Sequence, residues 1–152
     1  MWGHYTDCHR GFVIGFDDAH PFFVKRRSST DEFGFLRKVC YRRDRPELRF
    51  DNVTDGISAD VFQTKSEDWA YEREWRMMRI LDECALRIEQ QPHDICLFAF
   101  EPDAVKEIVV GMRAEASFAS ELRQVAASFP RASVFVAREH PSEYAIAIER
   151  VG

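Results

Sequence analysis

Phe12, Ile14 and Phe16 alternate with Val13 and Gly15, a period of two that lines three apolar side chains along one face of a strand. Asp17-Asp18 closes that strand, and residues 2–9 ahead of it predict a short helix. Pro21, followed by Phe22, Phe23 and Val24, predicts a second short helix, because the first helical turn makes no use of the N–H that proline lacks. Leu36 to Tyr41 reads as the next strand, and Ser66 as the cap of a short helix from Glu67 to Tyr71. Glu74 to Leu81 then reads as a strand, with Glu74, Arg76, Met78 and Ile80 on one face and Trp75, Met77 and Arg79 on the other. In the last third, Ile95 to Phe100, Glu107 to Val110, Val134 to Ala137 and Tyr144 to Val151 are strand-like. Between them Phe118, Leu122, Val125 and Phe129 fall on one helical stripe that ends at Pro130.

Two stretches carry weaker patterns. From Arg42 to Lys65 the turn-formers Pro46, Asp51-Asn52 and Asp55-Gly56 flank Ile57, Val61 and Phe62, predicting a connection with limited regular structure. Asp82 to Gln91 is rich in helix formers but stops at Pro92, which leaves helix, loop and strand extension open. About six or seven strands with two to four helices make an α+β protein built on a single mixed or mostly antiparallel sheet. No repeat or Gly/Ser/Pro-rich linker interrupts residues 1–152, so one domain is expected.

Composition changes this picture in three ways. Thirteen Phe, four Tyr and three Trp predict an aromatic core. The formal net charge of −5 argues against general nucleic-acid binding, and the clusters Lys25-Arg26-Arg27 and Arg42-Arg43-Asp44-Arg45 read as solvated loops ahead of phosphate sites. The four cysteines are scattered without a C-x-x-C pair, which suggests neither zinc ribbon nor disulfide framework and fits a reducing cytoplasm. No apolar run approaches membrane-spanning length.

Two clusters could carry chemistry. His4, Tyr5, Cys8 and His9 crowd into one or two helical turns, and His4 with Cys8 has the spacing of a shared metal, but a packed cysteine and hydrogen-bonded histidines explain the set as well. Glu72 and Glu74 point the same way if their segment is extended, as a carboxylate pair dividing acid and stabilising roles would. Against that stands an ion-pair ladder with Arg73, Arg76 and Arg79. Trp69 and Trp75 are assigned to the core, with ligand stacking as the alternative.

The run Met1-Trp2-Gly3-His4-Tyr5 with His9-Arg10-Gly11-Phe12, followed by Lys65, Trp69 and Tyr71-Glu72-Arg73-Glu74-Trp75-Arg76, resembles the bacterial domain of unknown function 2971 family. Phe100-Glu101-Pro102 and Ile108-Val109-Val110-Gly111 are similar to the family's closing part. Members usually carry a segment before the first motif, so the resemblance implies a chain lacking that segment. An incomplete sheet would leave an edge open to pairing, which predicts a homodimer. The layout is also similar to NAD-using ADP-ribosyltransferase-like folds. That likeness implies NAD as cofactor, with Glu74 holding the ribose hydroxyl and stabilising oxocarbenium-like charge, His4 or Tyr5 orienting the sugar, and Arg76 lining the cleft. The alternative is a non-catalytic structural or protein-interaction module in which the same residues knit helix to sheet. An open hollow around Glu74 and Arg76 favours the first; pairing of the two with each other favours the second.

Overall fold

Two compact units divide the chain in the computed structural model: residues 1–18 with 100–152, and residues 19–99. The structure describes residues 2–31, 33–46 and 59–151. The expected turns at Asp51-Asn52 and Asp55-Gly56, and Ile57, lie outside the described residues.

In the first unit, a short helix α1 (Trp2–Tyr5) leads to strand β1 (Phe12–Phe16). The second unit holds α2 (Pro21–Val24), β2 (Arg37–Lys38), β3 (Cys40–Arg42), α3 (Ala59–Phe62), β4 (Thr64–Ser66), β5 (Trp75–Arg76), β6 (Leu86–Ile88) and β7 (Ile95–Leu97). The chain then returns to the first unit with β8 (Val105–Val110), α4 (Ala116–Ala126), β9 (Ser133–Glu139) and β10 (Ile146–Arg150).

The class is α+β, as expected, and the largest sheet is mixed. Its order is β1-β8-β9-β10, with β1 antiparallel to β8, β8 parallel to β9 and β9 antiparallel to β10. The β8-α4-β9 crossover is what allows the parallel pair, since parallel neighbours need a long connection. β8 lies inside the sheet, and Ile108, Val109 and Val110 are all buried, the continuous apolar run of a strand covered on both faces. The remaining strands form pairs: β2 with β5 antiparallel, β3 with β4 parallel, and β6 with β7 antiparallel.

The core differs from the aromatic one expected. In the first unit it gathers Val105, Ile108 and Ala126, with Ile14, Phe129, Ala132 and Val134 packed around them. Phenylalanines form a partly exposed margin: Phe16 meets Phe100 edge-on at 5.4 Å, and Phe100 stacks on Phe129 at 6.2 Å. Val105, Ile108 and Ala126 are 0–4% exposed, whereas Phe16 and Phe100 are 40% and 37% exposed. The helical stripe also turns slightly from its expected line, so that Leu122 and Ala126 are buried while Val125 is exposed.

Before β1 the chain passes through Asp7, Cys8 and His9, all with positive φ, of 47, 52 and 68°. The turn is tied by the N–H of Gly11 to Thr6 O at 2.9 Å and by the N–H of Arg113 to His9 O at 3.0 Å. Gly111 backs onto it so closely that a Cβ there would stand 2.1 Å from His9 O.

Candidate functional site

The residues of the second sequence signature converge in the second unit, and the backbone explains how. Ser66 precedes a 3₁₀ helix, Glu67–Glu72, which ends where Arg73 takes the left-handed conformation at φ 49°. That reversal aims the following residues back toward β4. Glu74 is fixed from both sides: its carbonyl accepts from the N–H of Val39 at 2.9 Å, and its N–H donates to the Tyr41 hydroxyl at 2.7 Å. In the parallel pairing of β3 with β4, Tyr41 stands opposite Lys65, so both side chains reach the same face.

The side chains close into a charge network. Arg76 grips Glu74 with two donors, Nε to Oε1 at 2.7 Å and Nη2 to Oε2 at 3.0 Å, while its Nη1 donates to the Phe62 carbonyl at 2.7 Å. Such a forked pair is the strong form of an arginine–carboxylate contact. Lys65 Nζ donates to Glu74 Oε2 at 3.1 Å and to Glu72 Oε2, and it lies 5.0 Å from the centre of the Trp69 ring. Glu72 is buried, and the other three charged side chains are 22–30% exposed.

The electrostatics follow from this geometry. Hydrogen bonds from Arg76, then from Lys65, hold the Glu74 carboxyl below its ordinary range against the opposing effect of burial. Glu72, then Glu74, push the Lys65 ammonium up to about 12, and Glu74 raises Arg76. General acid–base work needs a group that exchanges protons near the working pH. Here each of these three groups is driven away from neutrality and into its charged form.

The sequence expectation met the structure unevenly. Glu72 and Glu74 do aim at one place, but through the left-handed Arg73 and not through strand alternation. The cation between them is Lys65, whereas Arg73 caps the 3₁₀ helix and Arg79 pairs with Glu83 at 3.7 Å. Trp69 and Trp75 are 44% and 56% exposed and so do not close the core. Tyr41 carries no mark in the sequence pattern; its position opposite Lys65 exists only once β3 and β4 pair.

His4 and Tyr5 lie on α1 of the first unit, both exposed, and Glu74 and Arg76 lie in the second. Glu74 and Arg76 are brought together, whereas His4 and Tyr5 are only neighbours in sequence on α1. Arg10 Nη1 pairs with Asp7 at 3.3 Å beside them. Among the described residues no group of three or more His, Cys, Asp or Glu side chains is placed to share a metal ion, and no helix is long and apolar enough to cross a membrane.

A model for the family described as protein of unknown function (DUF2971) matches residues 1–77. The chain belongs to the DUF2971 family. The matched stretch contains both signatures, so the network around Lys65 is built entirely within the DUF2971 region, while β6 to β10 lie beyond it. No curated protein and no solved structure matches the chain.

Proposed function

We propose that the Lys65–Glu72–Glu74–Arg76 network is a structural lock and that this DUF2971 chain acts as a non-catalytic module. One observation supports the reading above all: both oxygens of Glu74 are already engaged, by Arg76 and Lys65. A carboxylate meant to hold a ribose hydroxyl would have to share oxygens that a charge-assisted pair already orients. Two carboxylates and two cations also balance, which leaves no net local charge to stabilise an oxocarbenium ion. The same proposal places the chain in a reducing cytoplasm, supported by Cys8, Cys40, Cys84 and Cys96 all being free thiols.

The test sets this reading against the NAD-using transferase. The wild type and Glu74→Gln are incubated with NAD and assayed for nicotinamide release, and both are melted. The module reading expects no release from either and a lower melting temperature for Glu74→Gln. Release by the wild type that disappears in an equally stable Glu74→Gln variant would overturn it.

A further inference from the structure

We infer that the concavity at the C-terminal ends of β3 and β4 binds a phosphate group carried by a small ligand. It lies wholly in the second unit and measures about 230 Å³. Arg42, Arg43 and Arg45 line it together with Thr64 and Ser66. Strand register places Arg42, Thr64 and Ser66, and Arg43 and Arg45 follow just past the end of β3. Arg42 pairs in register with Ser66, and Cys40 with Thr64, so these side chains share the face opposite Tyr41 and Lys65. The Arg42 Nε donating to Cys40 Sγ at 3.5 Å, two residues back, agrees with that placement. Lys65 lines the hollow as well, so the site adjoins the lock, and the titration below acts on Arg43 and Arg45, which take no part in the lock.

Charge decides what would enter. Arg43 and Arg45 face one lining carboxylate, Asp44, which leaves positive charge in excess without counting Arg42, which has partners of its own, or Lys65, whose ammonium is committed to Glu72 and Glu74. Ser66 gives its hydroxyl proton to Asp68 at 3.0 Å, so the guanidiniums are the principal donors. Arg43 and Arg45 are exposed and make no ion pair or hydrogen bond among the described residues. Like charges crowded around a hollow repel one another, and a bound anion removes that cost. The planar guanidinium fork matches the oxygens of a phosphate two at a time.

Size and overall charge narrow the class. The hollow is smaller than the roughly 300–1,000 Å³ of pockets that enclose a drug-sized molecule, so it fits a phosphate or diphosphate group with the rest of the ligand outside. A net charge of −5 repels a long polyanion over the remaining surface, which favours a compact phosphate ester over a nucleic-acid strand.

The experiment is calorimetric titration of the full chain, in chloride buffer, with inorganic pyrophosphate, with ADP and with a single-stranded oligonucleotide. The wild type is expected to bind pyrophosphate and ADP with Kd below about 1 mM. The double variant Arg43→Ala/Arg45→Ala is expected to bind about tenfold more weakly or worse, with an unchanged melting temperature. Asp44→Asn is expected to bind about threefold more tightly, a gain that misfolding cannot imitate. Absence of heat with both phosphates, equal affinity across the variants, or an oligonucleotide binding more tightly than pyrophosphate would each overturn the proposal.

Discussion

Replacing Gly111 by alanine tests how the first signature is anchored. The added methyl would stand 2.1 Å from His9 O, 2.6 Å from Gly11 O and 2.8 Å from the His9 carbonyl carbon. All three are backbone atoms, which no rotamer change can move aside. Side-chain carbons do not approach heavy atoms closer than 3.0 Å, so the two segments must separate by about 0.9 Å, the difference from 2.1 Å. That movement strains two hydrogen bonds, Gly111 N–H to Gly11 O at 2.9 Å and Arg113 N–H to His9 O at 3.0 Å. Overpacking costs about 1–3 kcal/mol, and each lost hydrogen bond about 0.5–1.5 kcal/mol. Reduced freedom of the unfolded chain returns about 0.4–1 kcal/mol. The net expectation is a loss of about 3 kcal/mol, a large share of the roughly 5–15 kcal/mol typical of a folded domain. Urea unfolding followed by tryptophan fluorescence measures it. Gly15→Ala is the milder comparison: its Cβ would meet Glu107 Cβ at 3.0 Å across the β1–β8 pairing, a contact relieved by a shift of a few tenths of an ångström, and a strand gains from losing glycine, so its effect stays within about 1 kcal/mol. A Gly111→Ala loss below about 1 kcal/mol, or an equal loss in both variants, would refute the packing argument.

Two further predictions concern the lock and the turn. Because the Glu74 pKa is depressed on folding, the stability it contributes is present above its ordinary 4.5 and is lost as pH falls through the folded value. Lys65 is raised, so its contribution is present below 10.5 and lost as pH rises through about 12. The stability difference between wild type and Glu74→Gln should therefore be flat between those limits and shrink in acid; a difference that persists unchanged at pH values well below 4.5 would contradict the network. Cys8→Gly should stabilise the protein by about 1 kcal/mol in chemical denaturation, since glycine adopts left-handed φ without the strain a Cβ brings. A destabilised Cys8→Gly would show that the thiol makes contacts worth more than that strain.

Local pattern was legible and long-range pairing was not. β1, β8 and α4 were legible as local apolar patterns: alternation in β1, the continuous run Ile108-Val109-Val110 in β8 and a buried stripe through Leu122 in α4. The expected strand from Leu36 to Tyr41 is instead cut in two at Val39, which is buried and donates to Glu74, so β2 and β3 pair with different partners. Likewise only Trp75 and Arg76 of the expected strand from Glu74 to Leu81 pair in a sheet. A further strand, β6, emerges from the ambiguous Asp82 to Gln91 stretch as half of a hairpin with β7. At the candidate site, the composition of the lock was visible in the signature, but its wiring was not. The left-handed turn at Arg73 has no periodic trace, and Tyr41 reaches Glu74 across 33 residues. A basic run such as Arg42-Arg43-Asp44-Arg45 reads as solvated surface until strand pairing sets hydroxyls opposite it.

The pairing of β1 with β8 joins Phe12 to Val110, and this separation orders events during synthesis. The stretch 19–99 is contiguous and can collapse as it leaves the ribosome. β1 cannot make this pairing until translation has passed residue 110, after the whole of the stretch 19–99. A holdase that shields the exposed Phe12, Val13 and Phe16 during that interval would protect a late, non-local pairing.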